Sequence, residues 1–168
     1  MSAPRDIRRC ALQALYQFDV GNADDLDLIR ASLEEAPGDD RAHERGLELA
    51  NDAWARRSDA DEAMADMTPD WPTHRQPAVD RSLLRLAYYE MMSKRTPPKV
   101  VINEMVELAR EYSTEKSPMF INGVLDKLYR QHRAELDDSS ESTGDDATDE
   151  PSTTDSAPVK ETPDPAEA

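Results

Sequence analysis

The chain has 168 residues, 38% hydrophobic and 33% charged, with 36 acids against 20 lysines and arginines, a length and balance that suit one domain with a modest core. A single cysteine, Cys10, excludes an intrachain disulfide and a cysteine-based metal site. No run approaches the ~20 apolar residues that span a bilayer and no signal-like segment opens the chain, so a reducing cytoplasm is the expected setting. The charge is uneven: from Glu135 onward there are twelve acids and one base, Lys160, which leaves 24 acids and 19 bases, net −5, for everything before it. The acidity is mostly a property of the tail and does not argue against nucleic-acid binding by the body.

Glycine is scarce, at five residues, and apolar spacing is helical almost throughout. The first helix is expected from about Arg5 to Val20, ending near Gly21-Asn22. A second spans Leu26 to Glu35 and stops at Pro37-Gly38, a strong breaker pair. A third begins near Asp39 or Asp40 and carries Leu47, Ala50 and Trp54. Ser58 and Asp61, at capping-box spacing, signal a fourth with Met64 and Met67, after which Thr68 to Pro72 breaks the pattern. The fifth runs from about Ala78 to Lys94 with Leu83, Leu84, Ala87 and Met91 inward, and Thr96-Pro97-Pro98 ends it. The sixth carries Val101, Met105, Leu108 and Tyr112. The last opens at Ser117-Pro118, a serine cap followed by proline at the first helical position, and carries Ile121, Val124, Leu125 and Leu128. Helices this short are marginal alone and must pack on one another, so the expected architecture is an all-α, compact bundle of seven helices over ~130 residues. After Ala134 large apolar residues almost vanish, and residues 135–168 are expected to be a disordered acidic tail behind a folded 1–134.

The first helix carries the clearest functional signal. At about 100° per residue, Ile7, Ala11, Ala14, Leu15 and Phe18 share one stripe. Arg5, Arg9 and Tyr16 fall opposite, with Arg8 and Gln13 on the two flanks. Guanidinium groups bond phosphates bidentately and stack on bases, and a tyrosine ring stacks. Such a face suits single-stranded RNA, whose bases can be splayed out; the plain alternative is an amphipathic surface helix with solvated arginines. Leu12 points toward the polar side, as a lone exposed leucine or part of a partner surface, and Cys10 reads as a small core residue.

Three stretches narrow the choice. They are RRCALQALY from Arg8 to Tyr16, VDRSLLRLAYYE from Val79 to Glu90, and PKVVINEMVELAR from Pro98 to Arg110 followed by STEKSPMFINGVLDK from Ser113 to Lys127. In order and spacing they resemble the NusB family from about Arg5 to Tyr129. The middle, Gly21 to Pro77, matches loosely and the tail not at all. The resemblance implies an all-α fold of two small helical subdomains without catalytic activity or cofactor. It implies binding to the boxA element of ribosomal RNA transcripts, a heterodimer with the ribosomal protein NusE, and entry into the elongating RNA polymerase complex, where antitermination is favoured. Family members are monomers or homodimers.

Arg5 and Arg8 lie in the family's arginine-rich segment, so an RNA role carries over. Arg9 stands where the family is not reliably basic, so its role rests on the helical face, as does that of Gln13. Tyr16 is either a stacking ring or a half-buried packing residue. Lys116, Ser117, Met119, Phe120 and Asn122 lie at the loop-to-helix junction that the family places near RNA, where free N–H groups favour phosphate. The family often has an acid where Lys116 stands. A lysine there predicts stronger RNA affinity without the partner, and Lys116→Asp should then lower both affinity and salt slope. Gly123 reads as a close helix crossing, and Asn122 alternatively as a structural bond. Asp80 occupies a position whose acid faces NusE in the family, and Glu90 falls on the same helical surface. Asn103 and Glu104 read equally as a structural pair.

His43, His74 and His132 are far apart, so no metal site is expected. No phosphate loop or nucleophile elbow appears, and NusB-like domains of RNA methyltransferases accompany a catalytic half for which this chain has no room. The competing function is a protein–protein adaptor that has lost RNA binding. The tail is either an inert solubilising segment or a mimic of RNA that folds back on the arginine face.

Overall fold

The computed structural model describes residues 4–137, all of whose regular elements are helical. The tail expectation for residues 138–168 lies outside them. Residues 135–137, assigned to the tail by composition, instead close a short helix.

Helix α1, Pro4–Gln17, gives way to a widened turn over Phe18–Asn22, where Gly21 at φ +107° leaves the helical path. The helix therefore stops earlier than apolar spacing alone suggests. Helix α2, Leu26–Leu33, is capped by Asp25, whose carboxylate accepts from the Leu28 N–H at 3.0 Å. Asp39 does the same for α3, Asp40–Ala55, through the Ala42 N–H at 2.9 Å. Each cap satisfies a donor that a helix start otherwise leaves bare. Helix α4, Arg57–Ala65, has no such cap. The box expected of Ser58 and Asp61 does not form: the helix starts at Arg57, which puts Ser58 inside its first turn, and Asp61 pairs instead with Arg85 of α5, at 2.8 and 2.9 Å. Then come α5, Ala78–Met92; α6, Pro98–Tyr112; α7, Ser117–Gln131; and α8, Arg133–Asp137.

Helices α1 to α3 form one small bundle and α5 to α7 another, with α5 packed against both. One continuous apolar core runs through the two. On α5, Leu83, Leu84, Ala87 and Met91 are buried as the spacing requires, and Leu86 joins them. Full burial of side chains of this size contributes about 1.5–3 kcal/mol each. Arg85 ties the seam from the other side, pairing with Asp61 of α4 and with Asp19 of the Phe18–Asn22 turn at 3.0 Å.

The tightest contact between helices is α1 on α3. It depends on Gly46: a Cβ there would lie 2.4 Å from the Cβ of Cys10 and 2.9 Å from the carbonyl oxygen of Ile7. Gly123, expected at such a crossing, has nothing within 4 Å of where a Cβ would stand. Leu12, expected near the polar side, is 4% exposed and belongs to the core, on a helix that packs against both α3 and α5.

Candidate nucleic-acid interface

The three arginines of α1 meet three different surroundings. Arg8 is buried and grips Glu90 of α5 with Nε and Nη2, at 3.0 and 2.8 Å, the two side chains being 9% and 8% exposed. Roles for Arg8 on RNA and for Glu90 on a protein partner both require surface that these side chains do not have. The structure corrects both expectations: the two residues form a pinned ion pair between α1 and α5.

Arg5 and Arg9 reach the surface, where carboxylates of α6 meet them. Arg5 donates from Nε and Nη2 to Glu104, both at 2.9 Å. These hydrogen bonds hold Glu104 below the usual carboxylate range and raise Arg5 further. Arg9 donates to Glu111 at 3.1 Å and to Asp6 at 2.7 Å, which raises its pKa too. Arg5 pairs with Glu104 and Arg9 with Glu111, so two ion pairs link α1 to α6 in the same order along both helices.

Further along α1, Tyr16 is 41% exposed, and Tyr112 at the end of α6 is 42% exposed. With Arg9, Leu12, Gln13 and Val79 they line a recess of about 250 Å³. Gln13 is half spoken for, since its Nε2 donates to the Ser32 carbonyl at 2.6 Å. Tyr112, carried on α6 at the same helical spacing as Val101, Met105 and Leu108, lines the recess, and partial burial raises its pKa.

The junction of α6 and α7 is built around a buried carboxylate. Asp80 is fully buried and accepts from the hydroxyls of Ser113 and Ser117, the latter at 2.9 Å. Thr114 N–H donates to Ser117 Oγ at 3.3 Å. Asp80 and Ser117 thus fasten the loop to α5 and present no surface to a partner or to RNA, which corrects both expectations. Ser117 Oγ is turned toward Asp80 and the loop, so it does not cap α7 as expected.

The residues around this knot are the exposed ones. Lys116 and Asn122 are exposed, and Met119 is 83% exposed. Among the described residues Lys116 makes no ion pair. Phe120 is half buried, its ring 4.7 Å from that of Trp71. Met119 and Asn122 also line a broad groove between α6 and α7, of about 980 Å³, with Lys99, Asn103 and Arg110 on its walls. Composition and spacing missed Glu111 and Trp71, because a carboxylate or ring across the fold leaves no periodic signal. Glu104 was read only as half of a structural pair with Asn103.

The described residues hold no cluster of three or more histidine, cysteine or acidic side chains suited to a metal, and no helix among them is long and apolar enough to cross a membrane. What the surface offers is cations and aromatic rings around shallow recesses on an all-helical frame, the equipment of a binding module. The NusB family model matches residues 5–130. The transcription antitermination protein NusB of Streptomyces coelicolor is 39% identical over 132 residues, covering 76% of this chain and 93% of that protein. Its counterpart from Herpetosiphon aurantiacus is 34% identical over 137 residues, covering 77% and 91%. Among solved structures, NusB of T. maritima superposes with a TM-score of 0.67 at 31% identity, over 79% of this chain and 94% of that one. A chain from the complex of antitermination factors NusB and NusE with double-stranded RNA superposes with a TM-score of 0.64 at 26% identity, over 76% and 96%. The chain belongs to the NusB family: it is a transcription antitermination factor and not an enzyme.

Proposed function

We propose that this factor binds the boxA segment of ribosomal RNA transcripts as single-stranded RNA, together with the ribosomal protein NusE, and enters the elongating RNA polymerase complex of the bacterial cytoplasm. The observation that carries the reading is the recess joining Arg9 and Tyr16 of α1 to Tyr112 of α6. Tyr112 lies four residues before the exposed Lys116, so cations and ring faces follow one another from α1 to the start of α7. Stacking on aromatic rings and pairing with arginine is how unpaired RNA is held. The likeness to the NusB chain solved with NusE and RNA supports the same assignment of partners.

The contacts are expected to come from Arg5, Arg9, Tyr16, Lys116, Met119, Phe120 and Asn122, with Gln13 at the edge. Arg5 and Arg9 already hold carboxylates, so phosphate must displace Glu104 and Glu111 to reach them. Lys116 has no such competitor among the described residues, which favours it as the first phosphate contact. Fluorescence anisotropy with a boxA RNA and a scrambled control, with and without NusE, across a salt series tests the reading. Preference for boxA, strengthened by NusE and weakened by salt, is expected, because neutralising phosphates releases counterions. Lys116→Asp should lower both affinity and salt slope.

The paired state of Arg5 and Arg9 also favours a second reading, an adaptor that contacts proteins alone. Equal and negligible binding of both RNAs, with NusE present, would establish it.

A further inference from the structure

The turn from α5 to α6 carries three exposed cations, Lys94, Arg95 and Lys99. They rim a recess of about 480 Å³ whose floor includes Met91, Pro97 and Tyr129. Among the described residues none of the three makes an ion pair, whereas every arginine of α1 does. In a body whose net charge is negative, this is a concentration of uncompensated positive charge.

Lys94 adds a second observation. At φ +57° it is the only non-glycine residue in the left-handed region among those described. It follows the last residues of α5, and its N–H closes that helix on the Met91 carbonyl at 3.0 Å. Glycine is the usual occupant of such a position because it adopts the conformation without steric cost. A lysine there puts a third cation on the rim at the expense of local strain.

The third observation is where the chain leaves the described body. Leu136 and Asp137 line the same recess. Leu136 is buried, and Tyr129 donates to Asp137 at 2.9 Å, so this end is anchored there. The 31 residues that follow carry ten acids against one lysine. At about 3.3 Å per residue, the acids from Glu141 to Glu150 reach the rim without crossing the molecule. The arginines of α1 are a poorer destination: Arg9 meets α6 at Glu111, about 18 Å from Lys99 by helical rise, and Arg5, nearer at Glu104, already holds that carboxylate.

We propose that the acidic segment 138–168 docks in cis on Lys94, Arg95 and Lys99 and covers the α5–α6 recess. Each surface pair is weak, but a tethered partner is present at high effective concentration, so the segment exchanges rapidly and lets go as salt rises. While seated, it competes with any other polyanion for the patch. This places it on the α5–α6 turn and not on the arginine face expected from composition.

The test is paramagnetic relaxation enhancement on the full chain. A nitroxide on Ser152→Cys labels one site, because Cys10 is fully buried. The amides of Ser93, Lys94, Arg95, Thr96 and Lys99 should lose about half their intensity or more, and recover near 1 M sodium chloride, where the Debye length is about 3 Å. The full-chain variant Lys94→Glu/Arg95→Glu/Lys99→Glu should lose the effect while the rest of its spectrum stays in place. The three side chains are exposed, and the salt series on the unaltered patch decides the matter even if that variant misfolds. Broadening centred on α1 or Lys116, spread evenly, or absent would overturn the proposal. So would a scrambled single-stranded RNA that perturbs residues 93–99 as strongly in the full chain as in one carrying Asp145→Asn, Asp146→Asn, Asp149→Asn and Glu150→Gln, which would assign the patch to nucleic acid. The relaxation measurement uses no RNA or NusE, so its outcome is independent of the RNA reading.

Discussion

The inner edge and the outer face of α1 carry the same residue type to opposite ends. Arg8 faces α5 and is sealed onto Glu90, whereas Arg9, the next residue, stands at the surface between Asp6 and Glu111. Both are ion pairs of ordinary length. What separates them is water: the buried pair lies where an uncompensated charge is intolerable, and the surface pair lies where solvent or a phosphate can substitute for the carboxylate. Whether an arginine serves the fold or a ligand is therefore decided by the helix opposite, not by its own.

The largest test of that contrast is at the buried end. Glu90→Ala strands the Arg8 guanidinium and should cost about 3–5 kcal/mol in urea unfolding, while Arg8→Met/Glu90→Leu should fall close to the parent or exceed it. A loss under about 1 kcal/mol for Glu90→Ala would mean that the pair behaves as a surface one. Next comes the packing of the same inner edge. Gly46→Ala must push α3 off Cys10 and should cost about 1–3 kcal/mol, whereas Gly123→Ala on open surface should gain up to about 1 kcal/mol. Thermal melts of the two would reverse the comparison if both moved the same way.

At the outer face the effects shrink. Glu111→Gln should change stability by no more than about 0.5 kcal/mol and tighten RNA binding up to about fivefold, because Arg9 is released to phosphate. Unchanged affinity in the anisotropy assay would show that Arg9 does not engage RNA. The smallest effect is a pH dependence at Arg5. The pKa of Glu104 is depressed from its ordinary 4.5 by the Arg5 hydrogen bond. Its stabilisation is therefore complete above about pH 5 and fades as pH falls through the lowered value. The stability difference between the parent and Glu104→Gln should hold steady at neutral pH and narrow below pH 4.5. A difference that persisted to pH 2 would argue against the pairing.

Much of the architecture was legible in the residue order. The start of α3 near Asp39, the proline turns and the spacing of Leu83, Leu84, Ala87 and Met91 report local preference and burial, and both survive into the fold. The misreadings share one cause. Leu12, Glu90, Asp80 and Ser117 each owe their position to a residue on another helix, and a single helix's periodicity contains no information about its neighbour. Gly46 and Gly123 make the same point: glycine in a helix suggests a crossing, and only the partner helix says which glycine has one. Of the proposed binding face, the surface group of Arg9, Tyr16, Lys116 and Met119 could be picked out from charge and ring chemistry, but the acids that already occupy Arg5 and Arg9 could not.

The crossing of α1 over α3 also sets how the chain behaves toward oxidants and alkylating reagents. Cys10 sits at that crossing with no exposed surface, and burial pushes its thiol up to about 11, with Asp6 adding to the effect. Thiolate is the reactive form, so the folded molecule is doubly inert at neutral pH, lacking both access and ionisation. Modification has to wait for the two helices to separate. The rate at which a thiol reagent consumes Cys10 is then a clock for opening of the N-terminal bundle, readable in dilute solution without denaturant.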